Sequence, residues 1–200
     1  MFGCLSQVRI RSLMRRNVLI ALGSNVTSLS SSPEQLLNES MDEISKSVGK
    51  ISLRSKNYRT PCFPAGAGPD FANAVIRVET ELDIPGILEA LHRIEADFGR
   101  VRTVRWGQRT LDLDLLAADD VVCPDEATLN QWINLSLDRQ MAETPDQLLL
   151  PHPRLQDRAF VLVPMADVAP DWKHPILAKT VLEMLQDLPR DEIDQVVPIS

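Results

Sequence analysis

Two carboxylates stand one residue apart in a leucine-rich run, at Asp112 and Asp114 in the stretch RTLDLDLL (109–116). In a β-strand, residues i and i+2 point to the same face, so the two aspartates would project together while the leucines beside them point into the core. Adjacent negative charges repel each other, and a hard, oxygen-preferring ion such as Mg²⁺, shared with substrate phosphates, would offset that repulsion. The alternative is a strand face whose acids are merely solvated or paired in salt bridges.

Four arginines lie directly upstream of these acids, in the stretch GRVRTVRWGQR (99–109). Guanidinium groups donate bidentate hydrogen bonds to phosphate oxygens and stabilise the charge that develops in phosphoryl transfer. Gly99 and Gly107 would allow such a segment to close over a ligand. This combination favours phosphoryl-transfer chemistry, although the same arginines could simply neutralise acids at the surface.

No common glycine-rich phosphate cradle accompanies this pattern. The chain contains neither GxxxxGK[ST] nor GxGxxG, so a nucleotide would have to be held by other groups. His152 is one candidate, because it lies between two prolines and is followed by Arg154 and Arg158 in PHPRLQDR (151–158). A phosphate-facing role and a structural role for this histidine are equally open.

The spacing of apolar residues predicts an α+β chain. Strands are predicted where apolar residues cluster or alternate, and helices where they recur at helical spacing. The predicted strands cover 17–25, 50–61, 71–82 and 110–117, and the predicted helices cover 30–48, 84–99 and 178–187. The first six elements follow the order β-α-β-β-α-β. This order predicts a ferredoxin-like core, with a mostly antiparallel sheet and helices packed against it.

We expect a single domain over residues 17–200, with an insertion at about 119–147 that packs on the core or contacts a partner. Residues 1–16 contain four arginines and no acid, and we interpret them as a basic, disordered extension or the result of an upstream start, with an organelle-targeting peptide as the alternative. A net charge of −7 argues against binding to nucleic acid. The apolar runs are too short to cross a membrane. We therefore expect a cytoplasmic protein without nucleic-acid or membrane partners, as a monomer or alternatively a dimer.

Five sequence blocks resemble, in the same order, those of the 6-hydroxymethyl-7,8-dihydropterin pyrophosphokinase family of folate biosynthesis. The blocks are IALGSN (20–25), YRTPCF (58–63), PDFANAV (69–75), RIEADFGRVRTVRWGQRTLDLDLL (93–116) and LPHPRLQDRAFVLVPMADVAP (150–170). The resemblance implies a ferredoxin-like enzyme that transfers the pyrophosphoryl group of ATP to the hydroxymethyl group of the pterin and releases AMP.

On the phosphate side, the resemblance implies that Asp112 and Asp114 hold two Mg²⁺ ions and that ATP is the co-substrate. It assigns Arg100 and Arg109 to the loop that closes over the triphosphate, as catalytic residues together with the two aspartates. The further nucleotide-binding residues that it implies are His92, Glu95, Arg102, Trp106, His152 and Arg158.

On the pterin side, the resemblance implies that Phe71 and Phe160 sandwich the flat ring and that Asn73 binds its hydrogen-bonding edge. The other substrate-binding residues that it implies are Thr60, Pro61, Cys62 and Phe63. Considered without the resemblance, each phenylalanine could equally fill the core.

Two other functional classes remain open. A non-catalytic metabolite-binding module of the same shape would need neither the aspartate pair nor the arginines. A nucleotidyl transferase could use the same acids for a different acceptor, and it would release pyrophosphate rather than AMP.

Overall fold

Within the described part of the chain, six strands form one antiparallel sheet with helices on both of its faces. The computed structural model describes residues 15–25, 32–62, 68–99, 110–136, 139 and 142–199. The strands are β1 (Arg16–Ser24), β2 (Lys50–Arg54), β3 (Tyr58–Thr60), β4 (Phe71–Thr80), β5 (Asp112–Ala118) and β6 (Val197–Pro198). The helices are α1 (Pro33–Ser47), α2 (Ile84–Asp97), α3 (Glu126–Ile133), α4 (Ala159–Val168), α5 (Val181–Asp187) and α6 (Arg190–Asp194). The strand order is β5-β1-β4-β3-β6, and β2 also pairs with β4.

Strand β1 lies inside the sheet because it is an uninterrupted apolar run, NVLIALG (17–23). It pairs antiparallel with β4 on one side and with β5 on the other. Val18, Ile20 and Leu22 point to the same face and are at most 2% exposed. With α1 and α2 as the two crossover helices, this order confirms the predicted ferredoxin-like α+β core.

Helices α1 and α2 cover that face of the sheet, and both begin at side-chain caps. Ser32 and Gln35 form a capping box, in which the Gln35 backbone N–H donates to Ser32 Oγ at 3.3 Å and the Ser32 N–H donates to Gln35 Oε1 at 2.8 Å. At the start of α2, Asp83 Oδ1 accepts from the Gly86 N–H at 2.9 Å. These caps satisfy backbone donors that the first helical turn leaves unpaired.

The strand predicted over 50–61 is wrong as a single element, because the structure divides it into β2 and β3. Both parts pair with β4, but the regular backbone pairing is interrupted between them, at Ser55. Its backbone N–H donates to Val75 O at 2.9 Å, and its Oγ accepts from the Val75 N–H at 3.0 Å. A side chain that takes over a backbone acceptor's role allows the chain to bend between β2 and β3.

Helices α4 and α5 cover part of the second face of the sheet. Leu19, Val75 and Leu116 from the sheet form one apolar cluster with Leu162 and Met165 of α4. The Tyr58 hydroxyl donates to Asp167 Oδ2 at 2.8 Å, which ties α4 to β3. Helix α4 is not predicted from the sequence, because nearly all of its residues are apolar and one is a proline, so that no amphipathic spacing marks it as a helix.

The segment predicted as an insertion, 119–147, contains α3, which is capped by Asp125. Leu129 on this helix is fully buried, and Trp132 and Ile133 are half-buried. The burial of these side chains favours packing of the 119–147 segment on the core over a role as an exposed contact surface.

Residues 1–14, within the predicted N-terminal extension, lie outside the described residues. In the part of the chain that is described, no helix is long and apolar enough to cross a membrane.

His174, between α4 and α5, links the stability of the fold to pH. It is fully buried, and its Nδ1 accepts from the backbone N–H groups of Ile176 and Leu177, each at 3.2 Å. Its Nε2 has no hydrogen-bond partner among the described residues. Burial lowers the pKa of His174 to about 4.

We expect the unfolded chain to bind a proton at His174 between about pH 6.5 and pH 4, while the folded chain does not. The free energy of unfolding should therefore fall as the pH is lowered through this window, by about 2 kcal/mol between pH 7 and pH 5 from this group alone. Urea unfolding of the wild type and of His174→Asn, whose amide oxygen can still accept at the Nδ1 position, measures the difference. An identical pH dependence in both proteins would contradict the assignment.

Candidate active site

Asp112 and Asp114 project from the same face of β5, as predicted. Leu111, Leu113 and Leu115 are at most 5% exposed and belong to the cluster under α1 and α2, whereas both aspartates are half-buried. The two carboxylates therefore lie on the opposite face of the sheet, the face that α4 covers only in part.

Three residues from three adjacent strands lie in one row on this face. Gly23 of β1 is paired with Asn73 of β4 on one side and with Asp112 of β5 on the other. A Cβ atom placed on Gly23 would lie 3.4 Å from Asn73 Oδ1 and 4.0 Å from Asp112 Cβ. The amide and the carboxylate thus flank a position that has no side chain. No role for Gly23 is predicted from the sequence, although a glycine in a strand often marks a close approach of backbone or ligand.

Asn73 is held in place by a hydrogen bond to the neighbouring strand β3. Its Nδ2 donates to Thr60 Oγ1 at 2.8 Å, and both residues are 7% exposed. Phe71 is half-buried and, two residues away on β4, shares the face of Asn73. The structure therefore brings together three of the predicted pterin-binding residues.

The adjoining loop contains two more of the predicted pterin-binding residues, Pro61 and Cys62. The Cys62 thiol is buried, and its sulfur accepts from the Gly68 N–H at 3.1 Å and lies 3.0 Å from the Gly68 carbonyl oxygen. These contacts fix the two ends of the loop relative to each other. Phe63 lies outside the described residues.

His152 lies near Asp112, close enough for the charge of that carboxylate to affect its pKa. Its backbone N–H donates to Leu116 O at 2.8 Å, which anchors the histidine loop to β5. Burial, followed by the charges of Arg158 and Arg154, lowers the pKa of His152 to about 3, and the charge of Asp112 opposes that shift. Nδ1 accepts from the Arg154 N–H at 3.2 Å, so in the neutral ring Nε2 carries the proton. His152 is therefore a neutral hydrogen-bond donor at physiological pH.

Phe160 lies in the first turn of α4, and its side chain is 40% exposed. The Arg158 guanidinium carbon lies 5.5 Å from the centroid of its ring, within range of a cation–π contact. An exposed large aromatic ring does not fill the core. The exposure of Phe160 therefore excludes the alternative that this phenylalanine fills the core, and it leaves a face of the ring available to a ligand.

Glu95 and His92 lie on α2, in the helical layer on the other face of the sheet. Glu95 is 3% exposed, and its Oε1 accepts from the Leu113 backbone N–H at 2.8 Å. Leu113 is the residue between the two aspartates, so Glu95 supports the strand that carries them. His92 is exposed. Roles in nucleotide binding for both residues stay predictions.

Several predicted site residues lie outside the part of the chain that the structure describes. They are Arg100, Arg102, Trp106 and Arg109, together with Phe63. Among the described residues, no group of three or more His, Cys, Asp or Glu side chains could hold a metal ion. A cavity of about 380 Å³ lies elsewhere, between α1 and α2, where Glu39, Asp42, Glu43 and Asp97 are among its lining residues.

Comparisons with known proteins identify the family. The model of the family described as 7,8-dihydro-6-hydroxymethylpterin-pyrophosphokinase (HPPK) matches residues 19–170. A 2-amino-4-hydroxy-6-hydroxymethyldihydropteridine pyrophosphokinase of Methylorubrum extorquens is 34% identical over 178 residues, covering 88% of this chain and 96% of that protein. The protein of the same name from Synechocystis is 34% identical over 149 residues, covering 74% of this chain and 66% of that one.

Solved structures share the fold. The crystal structure of wild-type HPPK-DHPS from Plasmodium falciparum superposes with a TM-score of 0.61 at 15% identity. The match covers 86% of this chain and 44% of that longer chain. Given the extent of the family match and the identity to the Methylorubrum protein, the chain belongs to the 7,8-dihydro-6-hydroxymethylpterin-pyrophosphokinase family.

Proposed function

We propose that this chain transfers the pyrophosphoryl group of ATP to the hydroxymethyl oxygen of 6-hydroxymethyl-7,8-dihydropterin and releases AMP. The observation that carries the proposal is the row formed by Asn73, Gly23 and Asp112. It places an amide that can bind a heterocycle and a carboxylate that can bind a metal on the same face, with no side chain between them. In the reaction, an oxygen–phosphorus bond forms at the β-phosphorus, the bond to the oxygen that bridges the α- and β-phosphates breaks, and the hydroxyl proton is lost to solvent.

The donor set on β5 fits magnesium. Asp112 and Asp114 supply carboxylate oxygens on one partly exposed face, and Mg²⁺ is usually held by one or two carboxylates together with substrate phosphates and water. We propose that these two residues hold two Mg²⁺ ions. When bound, such ions neutralise charge on the phosphate oxygens and polarise the group that is transferred.

The nucleotide is held by groups that approach this face from the flanking loops. His152 donates from Nε2 without adding charge, and Arg158 supplies a cation beside it. We propose that Arg100, Arg102, Trp106 and Arg109 close over the triphosphate from the segment before β5. His92 and Glu95 border the nucleotide in the same proposal.

The pterin is held between the row on the sheet and the start of α4. Asn73 binds the hydrogen-bonding edge of the ring, and its orientation is fixed by Thr60. Phe71 and Phe160 stack on the two faces of the ring, each contributing on the order of 1 kcal/mol beyond the area that it buries. Pro61, Cys62 and Phe63 line the slot.

In this proposal, positioning of the substrates and electrostatic stabilisation account for the acceleration of the reaction, because the described part of the site offers no obvious general base.

We further propose that the protein acts as a cytoplasmic monomer without nucleic-acid or membrane partners. The net charge of −7 supports the absence of a nucleic-acid partner.

Removal of either aspartate charge should abolish turnover while the chain stays folded. We expect Asp112→Asn and Asp114→Asn to lower AMP formation by roughly 100-fold or more, because the metal contributes several kcal/mol of charge stabilisation. Chromatography of the nucleotide products, with ATP, Mg²⁺ and the pterin present, measures this.

Asp171→Asn, an exposed acid after α4, is the matched control and should retain turnover. Retained turnover in both Asp112→Asn and Asp114→Asn would refute the metal assignment. Release of pyrophosphate instead of AMP would indicate nucleotidyl transfer. ATP turnover that does not depend on the pterin would exclude the proposed acceptor.

Glu95 should be needed as a hydrogen-bond acceptor at the Leu113 N–H. Glu95→Gln retains an acceptor oxygen, whereas Glu95→Leu leaves a buried N–H unpaired at a cost of about 1–3 kcal/mol. We therefore expect Glu95→Leu to be less stable in urea and to need more Mg²⁺ for half-maximal rate, and Glu95→Gln to stay close to the wild type. Equal defects in both variants would show that the negative charge of Glu95 matters and not its hydrogen bond to the Leu113 N–H.

A further inference from the structure

One carboxylate near the end of α4 joins this helix to the strand segment around β3. Asp167 Oδ2 accepts two hydrogen bonds, from the Tyr58 hydroxyl at 2.8 Å and from the Lys56 backbone N–H at 3.1 Å. Tyr58 is buried. Burial, followed by the hydrogen bond to Asp167, raises the pKa of Tyr58 to about 12, so its hydroxyl is protonated and donates at neutral pH.

The strand end of this connection belongs to the same rigid unit as the proposed pterin-binding side chains. Tyr58 and Thr60 are two residues apart on β3, so they point to the same face, and both are buried. Tyr58 is paired with Asn73 of β4, and Thr60 Oγ1 accepts from Asn73 Nδ2 at 2.8 Å. The chain before Tyr58 is fixed to β4 as well, because Ser55 exchanges two hydrogen bonds with Val75.

The helix end of the connection lies on the same side of α4 as Phe160. Phe160, Val163 and Asp167 are spaced i, i+3 and i+7, which places their side chains on one side of a helix. Val163 packs against the cluster that contains Tyr58, so this side of α4 faces β3. At 1.5 Å per residue, Asp167 lies about 10 Å along the helix from Phe160. The position of Asp167 therefore determines the position of the Phe160 ring.

Apolar packing alone would leave the position of α4 on the sheet less defined. Leu162 and Met165 of α4 belong to the cluster on the second face of the sheet, and the attraction between such side chains is non-directional. The hydrogen bonds to Asp167 Oδ2 are directional, and bonds to a carboxylate are stronger than those between neutral groups. They fix α4 relative to β3 in a way that the apolar contacts do not.

We propose that the hydrogen bond between Tyr58 and Asp167 positions Phe160 for the pterin by setting the separation of α4 from β3. This inference rests on the proposed function, since it takes the ring that stacks on Phe160 to be the substrate's. Both residues act through the helix and not through contact with the ring. A radial gap of about 0.5–1 Å already removes roughly a quarter to a half of the attraction between two surfaces, so a small displacement of α4 weakens the stacking.

The test measures steady-state turnover and the direct binding of the pterin and of a non-hydrolysable ATP analogue with Mg²⁺. Tyr58→Phe removes only the hydroxyl, and Asp167→Ala removes the acceptor of both bonds. We expect each variant to raise KM and Kd for the pterin by about fivefold, the change that corresponds to one hydrogen bond. We expect kcat to change less, and the Kd of the ATP analogue to stay within about twofold. Asp167→Asn keeps an oxygen that can accept, and it should restore most of the affinity for the pterin.

Thr80→Val is the matched control, because Thr80 also forms a buried hydroxyl hydrogen bond on the sheet. Its Oγ1 donates to Val48 O at 2.6 Å, and it lies seven residues beyond Asn73 on β4, roughly 23 Å away. Thr80→Val should lower the melting temperature as Tyr58→Phe does, and it should leave KM for the pterin unchanged. Separation of these two effects distinguishes a positioning role from a role in stability alone.

Three results would overturn the inference. An unchanged KM and Kd for the pterin in Tyr58→Phe, with an active wild type, would show that the bond serves the fold alone and would leave the proposed function intact. An equal loss of affinity for the pterin and for the ATP analogue, or a raised KM for the pterin in Thr80→Val, would show a general loss of structure. Absence of pterin turnover and binding in the wild type would refute the proposed function, and the inference with it.

Discussion

The register that β1 keeps with β4 and β5 is the constraint on which the site depends. Gly23 lies opposite both Asn73 and Asp112, and Ala21 lies opposite both Val75 and Asp114. A slip of one residue between β1 and β5 would reverse the faces of the strand and turn the aspartates towards the apolar layer under α1 and α2. Burial of an unpaired carboxylate costs far more than the slip could gain. Leu111, Leu113 and Leu115 thus hold the acids in place from the other face of the same strand.

The site contains two kinds of polar side chain, charged carboxylates and a neutral histidine. The aspartates are like charges on one strand face, and they are stabilised together only when cations are near. His152 lies beside Arg154 and Arg158, and with its low pKa it adds a hydrogen-bond donor without adding another charge. Such an arrangement suits a polyanionic ligand that arrives with its own divalent ions, because neither partner is left with an uncompensated charge when the two are assembled.

The second face of the sheet serves both the core and the site. Helix α4 covers Leu19, Val75 and Leu116 and is anchored through the bond between Tyr58 and Asp167. Burial, followed by that hydrogen bond, raises the pKa of Tyr58 to about 12, so its hydroxyl stays a donor to the carboxylate. Because α4 begins at Ala159, it leaves Gly23 and Asp112 at the end of the sheet only half-buried, and it presents Phe160 next to its first residue. The placement of one helix therefore decides where the core ends and the site begins.

Local patterns in the sequence determined much of this arrangement. The side-chain alternation of β5 and the order of the strands and helices that form the ferredoxin-like core depend on residues close together in the chain, and they were predicted correctly. The division into β2 and β3 was not predicted, since a hydroxyl of Ser55 that replaces a ladder bond leaves no periodic signal. Helix α4 was not predicted either, because a segment in which nearly all residues are apolar resembles a strand as much as a helix.

Only the tertiary structure decided which residues meet across strands. That Gly23 separates Asn73 from Asp112, and that Glu95 supports the strand between the two aspartates, depends on pairing between segments 18 to 89 residues apart. The sequence specifies that a residue points to one face or the other, because that follows from the geometry of its own strand. It does not specify which residue lies opposite, because that is fixed by packing of the whole core.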